Sequence, residues 1–380
     1  MKQDTRSSPQ RQPRTLSQTV VPESLQSAHD SGLLSLGDSP FLRAADGAST
    51  RGSQHLVDSW RRGELLRLLP GMYVPLHLWA SLAPWERFRL SACGYALARP
   101  SAVFTGGTAA ILHGLPLVST PRTLEVRATS RGHRGTRTLV ASHLSPAGAK
   151  SLRMLTPQTR GGLPLPPRVS LRWNALQVPG DVQSVEVPRG KDLGRTVAQV
   201  DGLPTVQLQL ASGPVFRESV VPLDSLARRH GAWSWHWAEE DRGLLRTKAA
   251  AARFDRAWGF VDPRAESPGE SLSRALIEEL GFERPQLQQE FRDEAGGFVA
   301  RTDSHQKSVR ATGEFDGVGK YDIDLHDNPA QRRASIRREQ GRDRGLRALV
   351  RHQAHWTWAD LMEPDRLAEE LLRAGVPRRR

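Results

Sequence analysis

The last third of the chain is punctuated so regularly that few folds can accommodate it. Ser267 stands ahead of Pro268, a cap followed by a residue preset for the first helical turn, and Leu272, Leu276, Ile277 and Leu280 recur at helical spacing until Gly281. Leu287 to Phe291, the segment from Phe298 to Asp303, and Ala311 to Phe315 read as strands, the first two joined by a Gly296-Gly297 turn. A helix from about Pro329 to Leu349, a strand from Val350 to Trp356 and a closing helix from Glu363 to Ala374 follow. Helix, three strands, helix, strand, helix is the predicted order of an α/β domain.

Chemistry gathers on that frame. Asp303, then Gly313-Glu314-Phe315-Asp316-Gly317, then Lys320 place three acids and a lysine around a strand turn. Mg²⁺ is a hard, oxygen-seeking ion, usually held by one or two carboxylates with waters and substrate phosphate, and it stabilises charge in a phosphodiester transition state. Asp303 and Glu314, predicted on adjacent strands, supply such oxygens. Two blander readings stand beside this one: Asp316-Gly317 is a common turn pair, and Glu270 is a first-turn acid of the kind the helix dipole favours. Asp322, Asp324, His326 and Asp327 read as an acidic solvent loop.

The 380 residues exceed what one core usually organises, so two or three domains are expected. A formal net charge of +13 points to a polyanionic partner, because Lys and Arg gain affinity by releasing counterions from phosphates. The alternative is a set of solvated arginines from a GC-rich genome. Cys93 is the single cysteine, which excludes an intrachain disulfide and a cysteine-based zinc site and fits a reducing cytoplasm. Residues 1–31 are rich in Gln, Ser, Arg and Pro and read as a disordered tail. With no membrane-length apolar run, the expectation is a cytoplasmic protein.

Near the N-terminus, Ser49 or Thr50 caps a predicted helix with Leu56, Val57 and Trp60 on one face and Gly63 at its end. Its other face carries Arg51, Ser53, Gln54, Arg61 and Arg62. A ribbon follows, Glu64 to Leu69 and Met72 to Val74 around Pro70-Gly71, with Arg67 on its first strand. Helix plus small hairpin is the layout of a winged helix-turn-helix, in which a helix enters the major groove and the wing touches phosphate. These residues form the candidate DNA surface.

Further along, Trp85 to Ala98 and Ala109 to Pro116 read as helices, and His113, without a second ligand at metal spacing, reads as a structural residue. Leu124 to Arg127 and Thr138 to Ala141 read as strands. The basic turn between them, Arg131 to Arg137, lies along a phosphate backbone or is a solvated loop. Leu152 to Pro204 shows short strands and long loops without a catalytic pattern. Val206 to Leu210, Ser219 to Arg229 and a helix from Asp241 to Trp258 resume order, and Trp233, Trp235 and Trp237 read as a stacking platform for unpaired bases or, preferably, as a packing cluster.

Two resemblances add to this reading. Arg61-Arg62-Gly63-Glu64-Leu65 through Gly71-Met72-Tyr73-Val74-Pro75, with Ala109-Ala110-Ile111-Leu112-His113-Gly114-Leu115-Pro116, resembles AbiEi-type antitoxins, the repressing partners in type IV toxin-antitoxin systems. Ser219 to Arg229, with Asp224, is similar to the helix closing that family's middle domain. The Ser267-Pro268-Gly269-Glu270-Ser271 helix start, the Asp303 and Glu314 pair, the Glu314-Phe315-Asp316-Gly317 run with Lys320-Tyr321, and Trp356 to Leu361 resemble the PD-(D/E)XK nucleases, in their Vsr-like and DUF559-like branch. The resemblance implies Glu270 as the helix acid, Asp303 and Glu314 as metal ligands, Asp316 in an E-x-D arrangement, and Lys320 countering the pentacovalent charge.

Ser304-His305-Gln306-Lys307-Ser308 departs from the relatives' aromatic and proline run, and Arg338-Glu339-Gln340-Gly341 departs from their basic helix; both put catalysis in question rather than fold. The expectation is an α+β multidomain bacterial protein. It has a tail at 1–31, a winged-helix region at 32–78, a mixed α/β AbiEi-like middle domain at 79–262 and a restriction-endonuclease-like α/β domain at 263–380. Its implied partners are double-stranded DNA and a nucleotidyltransferase-like toxin, with no membrane. Three functions remain open: Mg²⁺-dependent DNA hydrolysis, non-catalytic repression with a decayed nuclease domain, or a C-terminal domain that binds a toxin partner.

Overall fold

Glycines and prolines cut the chain into short elements, each too brief to be stable unless it packs. The computed structural model describes residues 34–35, 40–44, 50–157, 162–173, 176, 178–189, 194–231, 240–317 and 344–379. Within them the protein is mixed α/β and divides into two compact units, one drawn from 1–108, 120–175 and 182–200, the other from 109–119, 176–181 and 201–380. The expected tail and the tryptophans at 233, 235 and 237 lie outside the described residues, as does Lys320.

In the first unit β1 (Leu34–Ser35) pairs antiparallel with β2 (Arg43–Ala44). Helix α1 (Thr50–Arg62) buries Gly52, Leu56 and Ser59, and Gly63 ends it with φ of +82°. β3 (Leu65–Leu69) and β4 (Met72–Pro75) then pair around the expected Pro70-Gly71 turn. Their sequences are nearly unbroken apolar runs, the pattern of strands covered on both faces. Every residue of the two strands except Arg67 is buried.

That burial corrects the expectation of an exposed wing. Both edges of the ribbon are also occupied. Leu42 and Tyr73 exchange backbone hydrogen bonds of 2.8 and 3.0 Å, and the Arg67 N–H donates to the His143 carbonyl at 2.8 Å. A strand pair enclosed on faces and edges is core, and beyond its turn only Arg67 reaches water.

Helices α2 (Leu76–Ser81), α3 (Pro84–Ala98) and α4 (Gly106–Leu112) follow, α3 close to its expected bounds and α4 starting earlier than predicted. β5 (Val103–Phe104), β6 (Thr123–Arg127), β7 (Gly135–Arg137), β8 (Arg168–Arg172), β9 (Val182–Pro188) and β10 (Arg195–Asp201) form a sheet in the order β7-β8-β6-β5-β10-β9. The strand expected at Thr138 to Ala141 is instead β7, inside the basic turn. Gly135 to Arg137 pair with Leu171 to Val169, whereas the Ser142 hydroxyl folds back onto the Leu144 carbonyl at 2.6 Å. Helix α5 (Pro146–Leu155), capped by the Ser145 hydroxyl, was not anticipated.

The second unit contains α6 (Leu203–Ala211), α7 (Phe216–His230), α8 (Lys248–Trp258) and α9 (Pro268–Glu279). The helix expected from Asp241 is shorter: Thr247 is extended and its hydroxyl accepts from the Ala250 N–H, so α8 starts only there, after a single turn at Arg242–Leu244. β11 (Gln286–Arg292), β12 (Phe298–Gln306) and β13 (Ala311–Phe315) run antiparallel in order, and β14 (His352–Trp356) is parallel to β13. A parallel neighbour demands a crossover. In the connection from β13 to β14 the described residues 344–349 are helical, and most of the helix expected from Pro329 to Leu349 lies outside the described residues. Helices α10 (Trp358–Met362) and α11 (Pro364–Arg373) close the fold.

One side of this sheet is sealed by α9, α10 and α11 through Leu272, Leu276, Phe315, Trp356, Leu361 and Leu371. Between α7 and α9, Asp224 and Arg274 form a buried ion pair at 2.9 Å, and the Asp262 N–H donates to the same carboxylate. Asp224, placed in the sequence only by its resemblance to the family's closing helix, is a packing element whose charge is matched by an arginine the sequence did not single out. His113 is structural as expected, its Nε2 lying 2.7 Å from the Asp201 carbonyl.

Candidate functional site

The N-terminus of α9 sits directly on β13. Gly269 makes this possible: a Cβ at that position would lie 2.1 Å from the Phe315 ring, so only glycine lets the helix approach. The Ser267 hydroxyl accepts from the Glu270 N–H at 3.1 Å, a helix cap. Glu270 reaches back, its Oε2 accepting from the Glu266 N–H at 2.8 Å and from Gln288 Nε2 at 2.9 Å. Burial raises the pKa of this carboxyl, the Glu266 hydrogen bond opposes the rise, and the neighbouring charge of Asp303 adds to it.

Asp303 stands where the β12–β13 ladder ends. Ser304 pairs with Gly313, so Asp303 and Glu314 come next in register, the juxtaposition the sequence predicts. Asp303 Oδ2 accepts from the Phe315 N–H at 2.9 Å, taking the place of a ladder acceptor. With Glu270, Ser273, Ser304, Phe315 and Trp356 it lines a pocket of about 10 Å³, room for about one water.

Glu314 does not join that pocket. Gly313 and Phe315 turn toward α9: a Cβ at Gly313 would meet the Trp356 ring at 2.0 Å, and Trp356 Nε1 donates to Ser273 Oγ on α9 at 2.7 Å. By strand alternation the buried Glu314 leaves the sheet on the face opposite Gly313 and Phe315, the face that alternation from Ser304 also gives its register neighbour Asp303. There its register partner on β14 is His355. Asp316 Oδ2 lies 3.3 Å from His355 Nδ1, and the Asp316 N–H donates to the Trp356 carbonyl at 2.8 Å, extending the β13–β14 ladder.

The structure thus joins Glu270 with Asp303, and Asp316 with His355. Among the described residues no group of three or more His, Cys, Asp or Glu side chains converges. The oxygen set of Glu270 and Asp303 suits a hard divalent cation, which would relieve the Asp303 charge that adds to the burial-driven rise in the Glu270 pKa. His355 was missed because its partners depend on a parallel register that no local pattern encodes. The support beneath the pair is imperfect, as the Ser304 to Ser308 run suggested. Ser304 Oγ donates to the Gly313 carbonyl at 2.9 Å, but His305 Nδ1 and Gln306 Nε2 are buried without a hydrogen-bond partner.

The candidate DNA surface on α1 is partly neutralised. Arg51, Ser53, Gln54, Arg61 and Arg62 are exposed as expected, yet Asp58 accepts from Gln54 at 3.0 Å and pairs with Arg61 at 3.2 Å. Arg62 pairs with Glu64 at 2.9 Å. Arg67 is half-buried: its guanidinium carbon sits 5.8 Å from the Trp60 ring centroid and 5.5 Å from that of Tyr73, a cation–π contact.

Comparison with family models, curated proteins and solved structures returned no match to this chain. Among the described residues, no helix is long and apolar enough to cross a membrane.

Proposed function

We propose that this is a nucleic-acid-binding protein whose C-terminal sheet unit is a restriction-endonuclease-like domain acting on double-stranded DNA with Mg²⁺. The observation that carries the reading is the Glu270–Asp303 pair, two carboxylates sharing one pocket where a helix N-terminus meets the end of a mixed sheet. Bound Mg²⁺ would supply charge stabilisation to a phosphodiester transition state. Glu270 and Asp303 are the residues that would hold it. The net charge of +13 favours the polyanionic substrate.

A second reading, a non-catalytic AbiEi-like repressor or antitoxin working with a nucleotidyltransferase-like toxin, is favoured by Glu270 serving its helix terminus. Supercoiled plasmid with Mg²⁺ separates the two. Under the hydrolytic reading the wild type nicks, and Asp303→Asn and Glu270→Gln each slow nicking about 100-fold or more. A wild type that retards DNA without nicking it assigns the second reading.

A further inference from the structure

At the outer edge of the first unit's sheet lies an open cleft that the acidic site does not use. Its volume is about 800 Å³, and it is lined by Arg131, Arg134, Thr136, Ser170, Arg172 and Trp173, together with Gly135 and Leu171. No acid lines it. The nearby Glu125 carboxylate is held by Arg172 at 2.6 Å and by the Gly107 N–H at 2.9 Å. Among the described residues neither Arg131 nor Arg134 meets a carboxylate, and both are exposed. Trp173, just past the end of β8, is 39% exposed where most large apolar side chains of the unit are buried.

A solvated sheet edge accounts for arginines, since charged residues on an edge strand deter pairing with other chains. It does not account for a concave cleft in which unpaired guanidinium groups flank an exposed indole. Cationic groups that follow a phosphate backbone beside an aromatic face that stacks on a base are what unpaired nucleic acid requires. A duplex offers phosphates but keeps its base faces stacked inside.

We infer that this cleft binds a single-stranded segment of nucleic acid, with phosphates on Arg131 and Arg134 and one base stacked on Trp173. The inference rests on the nucleic-acid-binding reading above and extends it to a surface distinct from the α1 arginines and the Glu270–Asp303 pair.

Fluorescence anisotropy of the full chain with fluorescein-labelled oligothymidylate, and with a labelled hairpin duplex, tests it. Trp173→Ala is expected to weaken oligothymidylate binding about tenfold, while Trp173→Phe keeps most of the affinity. Arg131→Ala with Arg134→Ala should flatten the slope of log K against log salt by about 1.4, two phosphates at the single-strand coefficient. Oligothymidylate affinity and salt slope unchanged in both Trp173→Ala and the double variant would overturn the proposal. So would a wild type that binds the duplex but not the single strand, an outcome that leaves the broader DNA-binding reading standing. Failure to bind either probe removes both readings.

Discussion

Two antiparallel ribbons of the first unit carry arginine and end in opposite environments. The β3–β4 pair, built from Leu-Leu-Arg-Leu-Leu and Met-Tyr-Val-Pro, is enclosed on faces and edges, and its Arg67 is absorbed between Trp60 and Tyr73. In the β7–β8 pair, all of Gly135-Thr136-Arg137 is exposed at the margin of a sheet, and its flanking arginines face a cleft. Arginine in a hairpin therefore says little about where nucleic acid binds. The apolar content of the strands around it decides whether the charge meets solvent or is covered.

The contrast between covered and open arginines is sharpest at Arg274, where the largest effect is expected. Arg274→Ala leaves the fully buried Asp224 carboxylate without its partner and should cost about 3–5 kcal/mol in a urea titration. A loss no greater than that of an exposed arginine such as Arg134→Ala would break the distinction.

Next comes the ribbon core. Leu68→Ala removes a fully buried side chain and is expected to cost about 2–5 kcal/mol, against roughly 0.5 kcal/mol or less for Thr136→Ala on β7. Equal midpoint shifts would mean that β3–β4 is not enclosed.

The Asp224 pair also leaves a pH signature. Burial pushes its carboxyl from 3.8 up to about 6, against the pull of Arg274, so the folded state holds that proton more tightly than the unfolded chain. The contribution is full below the unfolded value and is lost as pH rises through about 6. Wild-type stability relative to Asp224→Asn should fall across this interval; a difference that rises would reverse the assignment.

The smallest effect concerns Cys93 on α3. Burial pushes its thiol up to about 11, so alkylation at pH 8 should be negligible in the native protein and appear only as denaturant opens the unit. Fast native labelling would show that this part of the first unit is more open than the β3–β4 ribbon beside it.

Much of the local structure was legible. Ser267, Pro268 and Gly281 bracket α9 because capping and φ preference act within a few residues, and Gly296-Gly297 marks the β11–β12 turn for the same reason. Where an element depends on a distant partner, reading failed. Thr138 to Ala141 have strand-forming residues, but β8 pairs with Gly135 to Arg137 instead. Of the acidic site, the adjacency of Asp303 and Glu314 followed from strand order. The meeting of Glu270 with Asp303 was implied only by the family resemblance, and the partnership of Asp316 with His355 was not legible at all.

By itself the amino-acid sequence determined the capped and turn-bounded elements such as α9 and the β11–β12 hairpin, and the excess of positive charge, because periodicity, capping and turn chemistry are properties of neighbouring residues. Only the tertiary structure decided which ribbon is covered, which arginines reach solvent and which carboxylates meet. Those outcomes rest on register and burial, which are set by contacts between segments far apart in the chain.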